Sequence, residues 1–247
     1  TSGDYWPLHE ESNNLLGFWP QGFVGRSFTL NSNHEMYSGA EGYFQALRAQ
    51  GSPFAAQNGT SYFALEYGGW TILGLDTAYY STSPMIVEGA LGGLGGAQLQ
   101  WIQGLRLSPS RVIVLTHHTG LSDDGSAKDP LWAELNSALS GDPFAWYWGH
   151  AHLGVVYKAP SVANQPGSST FSRCLGHGAL PYGDASELHG ASRVEWYAHT
   201  PQPSGKQVYN GFAMLTLQSA NGRVTSISEE FYDLGSTAPA WSKALYP

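Results

Sequence analysis

Three apolar runs in this chain each stop at a cluster of metal-competent side chains, and that repeated pattern constrains the fold more than any other feature. Residues 27–31 run into Asn33-His34-Glu35, residues 112–115 into Thr116-His117-His118, and residues 144–148 into Gly149-His150-Ala151-His152. A short unbroken apolar run bounded by turn residues reads as a strand buried on both faces. In an α/β sheet, the segments just beyond the carboxyl ends of such strands converge on one crevice. Five of the nine histidines would then share it. Imidazole nitrogens and an amide oxygen suit a divalent transition metal. One histidine at a strand end is usually an ordinary hydrogen-bonded residue; three clusters after three strands point to a metal site.

The 247 residues suffice for a sizeable core and are read as a single domain over 1–247. Charged residues make up only 12% of the chain, about half the usual share, and 31 Gly, 14 Pro, 14 Tyr and 9 Trp stand in their place. That composition fits a loop-rich, aromatic-rich mixed α/β protein and not a helical bundle. The net charge of −8 with no basic run argues against a nucleic-acid-binding surface or attraction to anionic membranes. No apolar stretch approaches the ~18 residues of a membrane span. The single Cys174 excludes an internal disulfide. Asn58-Gly59-Thr60 is an N-glycosylation triplet in a polar loop, and with the low charge it tilts the reading toward a secreted protein.

Helices are expected over 9–19, 42–49, 97–107 and 131–139, the last opened by Asp129-Pro130 as cap and first helical residue. Strands are expected over 27–31, 61–67, 70–76, 111–116, 144–148, 155–157, 171–175, 194–198, 211–217 and 223–232, with Gly68-Gly69 and Asn221-Gly222 as turns. Residues 80–96 and 158–170 read as loops.

With these residues in place the chain resembles the calcineurin-like metallophosphoesterases, the superfamily that includes purple acid phosphatases and cyclic-nucleotide phosphodiesterases. The family's Gly-Asn-His-Asp/Glu block is similar to Ser32-Asn33-His34-Glu35, its strand-terminal histidine to His117, and its Gly-His-x-His block to Gly149-His150-Ala151-His152. Met36-Tyr37-Ser38-Gly39, Gly74-Leu75-Asp76-Thr77, Gly176-His177-Gly178 and Asn210-Gly211-Phe212-Ala213 extend the likeness over most of 19–233. The resemblance implies a β-sandwich flanked by helices and a dinuclear centre of Fe, Mn or Zn acting on a phosphoester substrate. It implies that Asn33, His117 and His150 ligate one metal and His152 the other. His34 would touch the phosphate and protonate the leaving oxygen as the catalytic residue. His118 and His177 are either supporting residues or ordinary buried ones.

The sequence departs from the family at its start. The family's Asp-x-His block, which supplies carboxylates to the metals, occurs nowhere in this chain. Gly3-Asp4 is either the second family block, making Asp4 a bridging ligand, or a loop just after it. The reading is therefore of a chain lacking the N-terminal strands of its sheet. Residues 1–247 alone should then bind at most one metal and turn over little or no substrate, because the dinuclear centre would be completed by sequence outside them. An N-terminal fragment or a second copy would cover the exposed sheet edge. The alternative is a non-catalytic structural or assembly protein on the same scaffold.

Overall fold

A computed structural model describes residues 8–247 except 21, 94, 159–168 and 182–184; the side chains of residues 8 and 9 are also outside it. Asp4 thus lies outside the described residues. Five α-helices are described: α1 (Leu8–Phe18), α2 (Asn33–Met36), α3 (Glu41–Arg48), α4 (Ala97–Gly104) and α5 (Pro130–Leu139). The strands are β1 (Phe63–Tyr67), β2 (Trp70–Leu75), β3 (Val112–Thr116), β4 (Ala145–Trp148), β5 (Gly154–Tyr157), β6 (Phe171–Leu175), β7 (Val194–Tyr197), β8 (Gly211–Ala220), β9 (Arg223–Asp233) and β10 (Trp241–Tyr246).

The protein is mixed α/β, with a seven-stranded sheet in the order β1-β2-β3-β4-β6-β5-β7 and a three-stranded sheet β10-β9-β8. Strands β2, β3, β4 and β6 run parallel, while β1, β5 and β7 add antiparallel edges. The parallel strands read as continuous apolar runs because both faces are covered. Val112, Val114, Trp146 and Trp148 pack toward Leu99 and Ile102 of α4 and Leu131, Trp132 and Leu135 of α5. The alternate residues Ile113, Ala145 and Tyr147 pack toward Val224, Ile227 and Leu245 of the smaller sheet. Among the described residues, no helix is long and apolar enough to cross a membrane.

A polar group is sealed between the sheets. Arg173 on β6 donates to Glu229 of β9 through Nε (2.8 Å) and Nη2 (2.5 Å), and both side chains are fully buried. Tyr147 on β4 donates its hydroxyl to the other carboxylate oxygen at 2.5 Å, and Arg173 Nη1 reaches the carbonyls of Ser172 and Tyr157. A buried charge is tolerable only when paired and hydrogen-bonded in this way.

One strand expectation needs correction, and one strand was not expected. Residues 27–31 join no ladder. Thr29 instead receives strand-like hydrogen bonds from a side chain: its N–H donates to Gln57 Oε1 (2.7 Å) and its carbonyl accepts from Gln57 Nε2 (3.1 Å) and Tyr43 Oη (3.0 Å). The backbone is satisfied with no neighbouring strand, so a β-like apolar run stays extended but unpaired. His34 accordingly sits in the short helix α2, not at a strand end. Ser32 caps that helix, accepting from His34 N–H, while the Glu35 carboxylate accepts from Ser32 N–H (2.9 Å). The unexpected strand is β10, which no apolar run announces. It pairs with β9 through a bulge between Ala244 and Tyr246 that breaks the two-residue period.

Candidate metal centre

Strands β3 and β4 are parallel neighbours, so the residues after them emerge side by side, and Gly149 N–H donates to His117 O at 3.0 Å. The chain then doubles back through His150 and His152, whose φ angles are 60° and 55°. Non-glycine residues with such left-handed backbones are strained, and strain of this kind clusters at functional sites. Gly176, just past β6, lets this turn pack closely: a Cβ there would stand 2.5 Å from His152 N. Asn33 arrives from α2, and the segment before it is anchored by Asn31 Nδ2 against the fully buried Asp76 carboxylate at the end of β2 (3.3 Å).

Three ligand atoms converge. His117 Nε2 is 2.8 Å from Asn33 Oδ1 and 3.2 Å from His150 Nδ1. The Asn33 amide is oriented by its other end, where Nδ2 donates to Tyr37 Oη at 2.8 Å. The Tyr37 proton is directed to Met85 O at 3.1 Å. His117 Nε2 carries either a proton or a lone pair, so it can donate to Asn33 or accept from His150 but cannot do both. A shared cation reconciles all three atoms. At metal–ligand bonds of ~2.1 Å, neighbouring ligand atoms in a tetrahedral or octahedral shell stand ~3.0–3.4 Å apart.

Electrostatics fit the same description. Burial pushes His117 down to about 2, helped by the neighbouring His118, His150, His34 and His152 rings. His150 is lowered by burial and then by His152 and His34. Both rings are therefore neutral with lone pairs available, the form a metal needs.

His118 belongs to the cluster by distance, since its ligand atom lies within 4.8 Å of those of His117 and His150. Its hydrogen bonds give it another role. Nε2 lies 2.9 Å from Ile86 O, a pure acceptor, so that nitrogen carries the proton. Nδ1 then accepts from Thr77 Oγ1 at 2.9 Å, and Thr77 Oγ1 accepts in turn from His118 N–H. Both ring nitrogens are occupied, and burial holds the ring at about 4. His118 therefore supports the site and is not one of the three convergent ligands.

The donors open onto a cleft of about 740 Å³ lined by Asn33, His34, His150 and His152, with Glu88, Asp123 and Asp129 as its acidic groups. His34 is exposed, and its ring stacks on His152 at 6.4 Å. Asp129 stands at the N-cap position of α5 as expected, yet its side chain caps nothing; it takes the Thr119 hydroxyl and faces the cleft. His177 is fully buried with both ring nitrogens unpartnered, and burial lowers it to about 4.

Asn33, His34, His117, His150 and His152 are thus all brought to one place. Sequence reasoning missed Tyr37, Thr77 and Asp129. Tyr37 and Thr77 lie in blocks that carried the family likeness but no role, and Asp129 was visible only as a helix cap, a signal that pointed to the wrong partner. No family model matches the sequence, and no curated protein matches it.

Proposed function

We propose that this chain is a metal-dependent phosphoester hydrolase of the calcineurin-like metallophosphoesterase type. The observation that carries the reading is the convergence of Asn33 Oδ1, His117 Nε2 and His150 Nδ1 at 2.8 and 3.2 Å beside a cleft that His34 also lines. Those three residues would hold one divalent cation (Fe, Mn or Zn), and His152 on the same cleft is assigned to a second. A cation bound there supplies Lewis acidity toward a phosphoryl oxygen and lowers the pKa of bound water. His34, exposed beside His152, contacts the phosphate and delivers a proton to the leaving oxygen. Thr119 and Asp129 shape the opposite part of the cleft.

Three neutral donors balance little of the charge of two divalent cations, and no carboxylate joins the cluster among the described residues. The described donors should therefore bind at most one equivalent tightly and support little or no turnover, a second site needing carboxylates from outside the described residues. Exposed Asn58 remains the proposed glycan site of a secreted protein.

The test pairs metal content with hydrolysis of an aryl phosphate diester. The wild type should take up one equivalent of Zn²⁺ or Mn²⁺ and show slow turnover, and His150→Ala should lose both. His34→Ala should keep its metal while the rate falls by about 10²-fold or more. A wild type that takes up no metal would sink the reading; two tightly bound equivalents with robust turnover would show that the donor set is already complete.

A further inference from the structure

One part of the cleft wall is built from backbone that L side chains avoid. Met85 and Ile86 have φ of 56° and 53°. For β-branched Ile86 such a conformation is a true outlier that the surroundings must hold in place. The next three residues, Val87, Glu88 and Gly89, line the cleft. The segment is tied to itself, since Ser81 Oγ donates to Glu88 O at 2.6 Å and Glu88 N–H to Ser83 Oγ at 2.9 Å, which holds its two ends together.

Its two strained residues are each gripped by a group next to a metal ligand. Tyr37 Oη donates to Met85 O while accepting from Asn33 Nδ2. His118, the chain neighbour of His117, donates Nε2–H to Ile86 O. Gly89 presses against the same ring: a Cβ there would lie 2.6 Å from His118 Cβ.

We propose that Tyr37 and His118 are positioning residues that fasten the strained segment 83–89 to the metal ligands, so that filling the site and setting the cleft wall are one coupled event. The inference rests on the metal-site reading above. Released from Met85, Tyr37 no longer fixes the Asn33 amide, which can then turn its NH₂ toward the cation in place of its oxygen. By reciprocity, a cation that holds the Asn33 oxygen holds Tyr37 and through it the segment.

The experiment measures Zn²⁺ affinity by chelator competition and backbone hydrogen exchange over 83–89, with and without Zn²⁺. Tyr37→Phe removes one hydroxyl and should weaken Zn²⁺ binding by about 10- to 100-fold, the usual cost of losing a group that orients a ligand. In the wild type Zn²⁺ should slow exchange across 83–89; in Tyr37→Phe it should not. Weakened binding with Zn²⁺ still slowing exchange across 83–89 in Tyr37→Phe would confine the effect to the amide and overturn the segment's part. Affinity within about twofold of wild type, with exchange insensitive to Zn²⁺, would overturn the coupling and leave the metal site standing. A wild type that binds no Zn²⁺ would overturn both.

Discussion

Two groups of polar side chains, one fully buried and one partly so, flank the same parallel strands, and they are built on opposite principles. Between the sheets, Arg173, Glu229 and Tyr147 form a closed set in which the charges are matched and the carboxylate is taken by guanidinium and phenol. Beyond the strand ends, Asn33, His117 and His150 turn acceptor atoms toward one another with no positive charge among them. A closed set holds a fold together. A convergent set of lone pairs is costly to assemble and fits a bound cation.

The most forceful way to break this comparison is acid. His118 and His177, both near the strand ends, are held at about 4 by burial, while in the unfolded chain they titrate near 6.5. Both are neutral when folded at pH 6, and the unfolded chain takes up their protons first. Their stabilising contribution is complete above about pH 6.5, is lost as pH falls toward 4, and changes no further below. With ~1.4 kcal/mol per group per pH unit, the metal-free protein should lose on the order of 5 kcal/mol over that window. Urea melts at pH 7, 6, 5 and 4 measure this directly. A flat profile would mean these rings are not sealed.

The next largest effect should come from opening the closed set. Glu229→Ala strands the Arg173 guanidinium and should cost roughly 3–5 kcal/mol in unfolding free energy. Replacing Arg173, Glu229 and Tyr147 together by Met, Leu and Phe should recover most of that loss. If it does not, the group contributes specificity of packing beyond charge balance. The smallest effect should belong to the half-exposed pair of Lys243 Nζ and Glu195, 2.8 Å apart. Lys243→Ala should cost about 1 kcal/mol or less, and less still in high salt.

How far the sequence disclosed this architecture follows the same division. Strands β3 and β4 were legible because burial on both faces leaves no polar residue to interrupt them. The hairpin β1–β2 was legible from Gly68-Gly69, whose φ angles of 55° and 82° are those a tight turn requires. The run 27–31 misled because an apolar segment announces burial and not its partner, here the side chain of Gln57. Strand β10 was hidden by its bulge and by Ser242 and Lys243, which dilute the apolar pattern. At the site, His117 and His150 were visible as residue types at strand ends, and Asn33 as one that follows an apolar run. Tyr37, Thr77 and the carbonyls of Met85 and Ile86 were not. They act through single hydroxyls and backbone atoms across long sequence separations, which leave no periodic trace.

The smaller sheet is drawn wholly from residues 211–246, a meander of neighbouring strands, whereas the larger one gathers segments spread from 63 to 197. Local pairings of that kind form quickly once their residues are available. On the ribosome, however, they are made after the sheet they cover. Until β8 to β10 emerge, the face carrying Trp70, Ile113 and Tyr147 has no lid. Nascent chains at that stage present an apolar surface and open strand edges together, the combination that chaperones bind and that seeds aggregation. Translation speed through the codons for residues 211–246 should then help set how much of this protein reaches its native state.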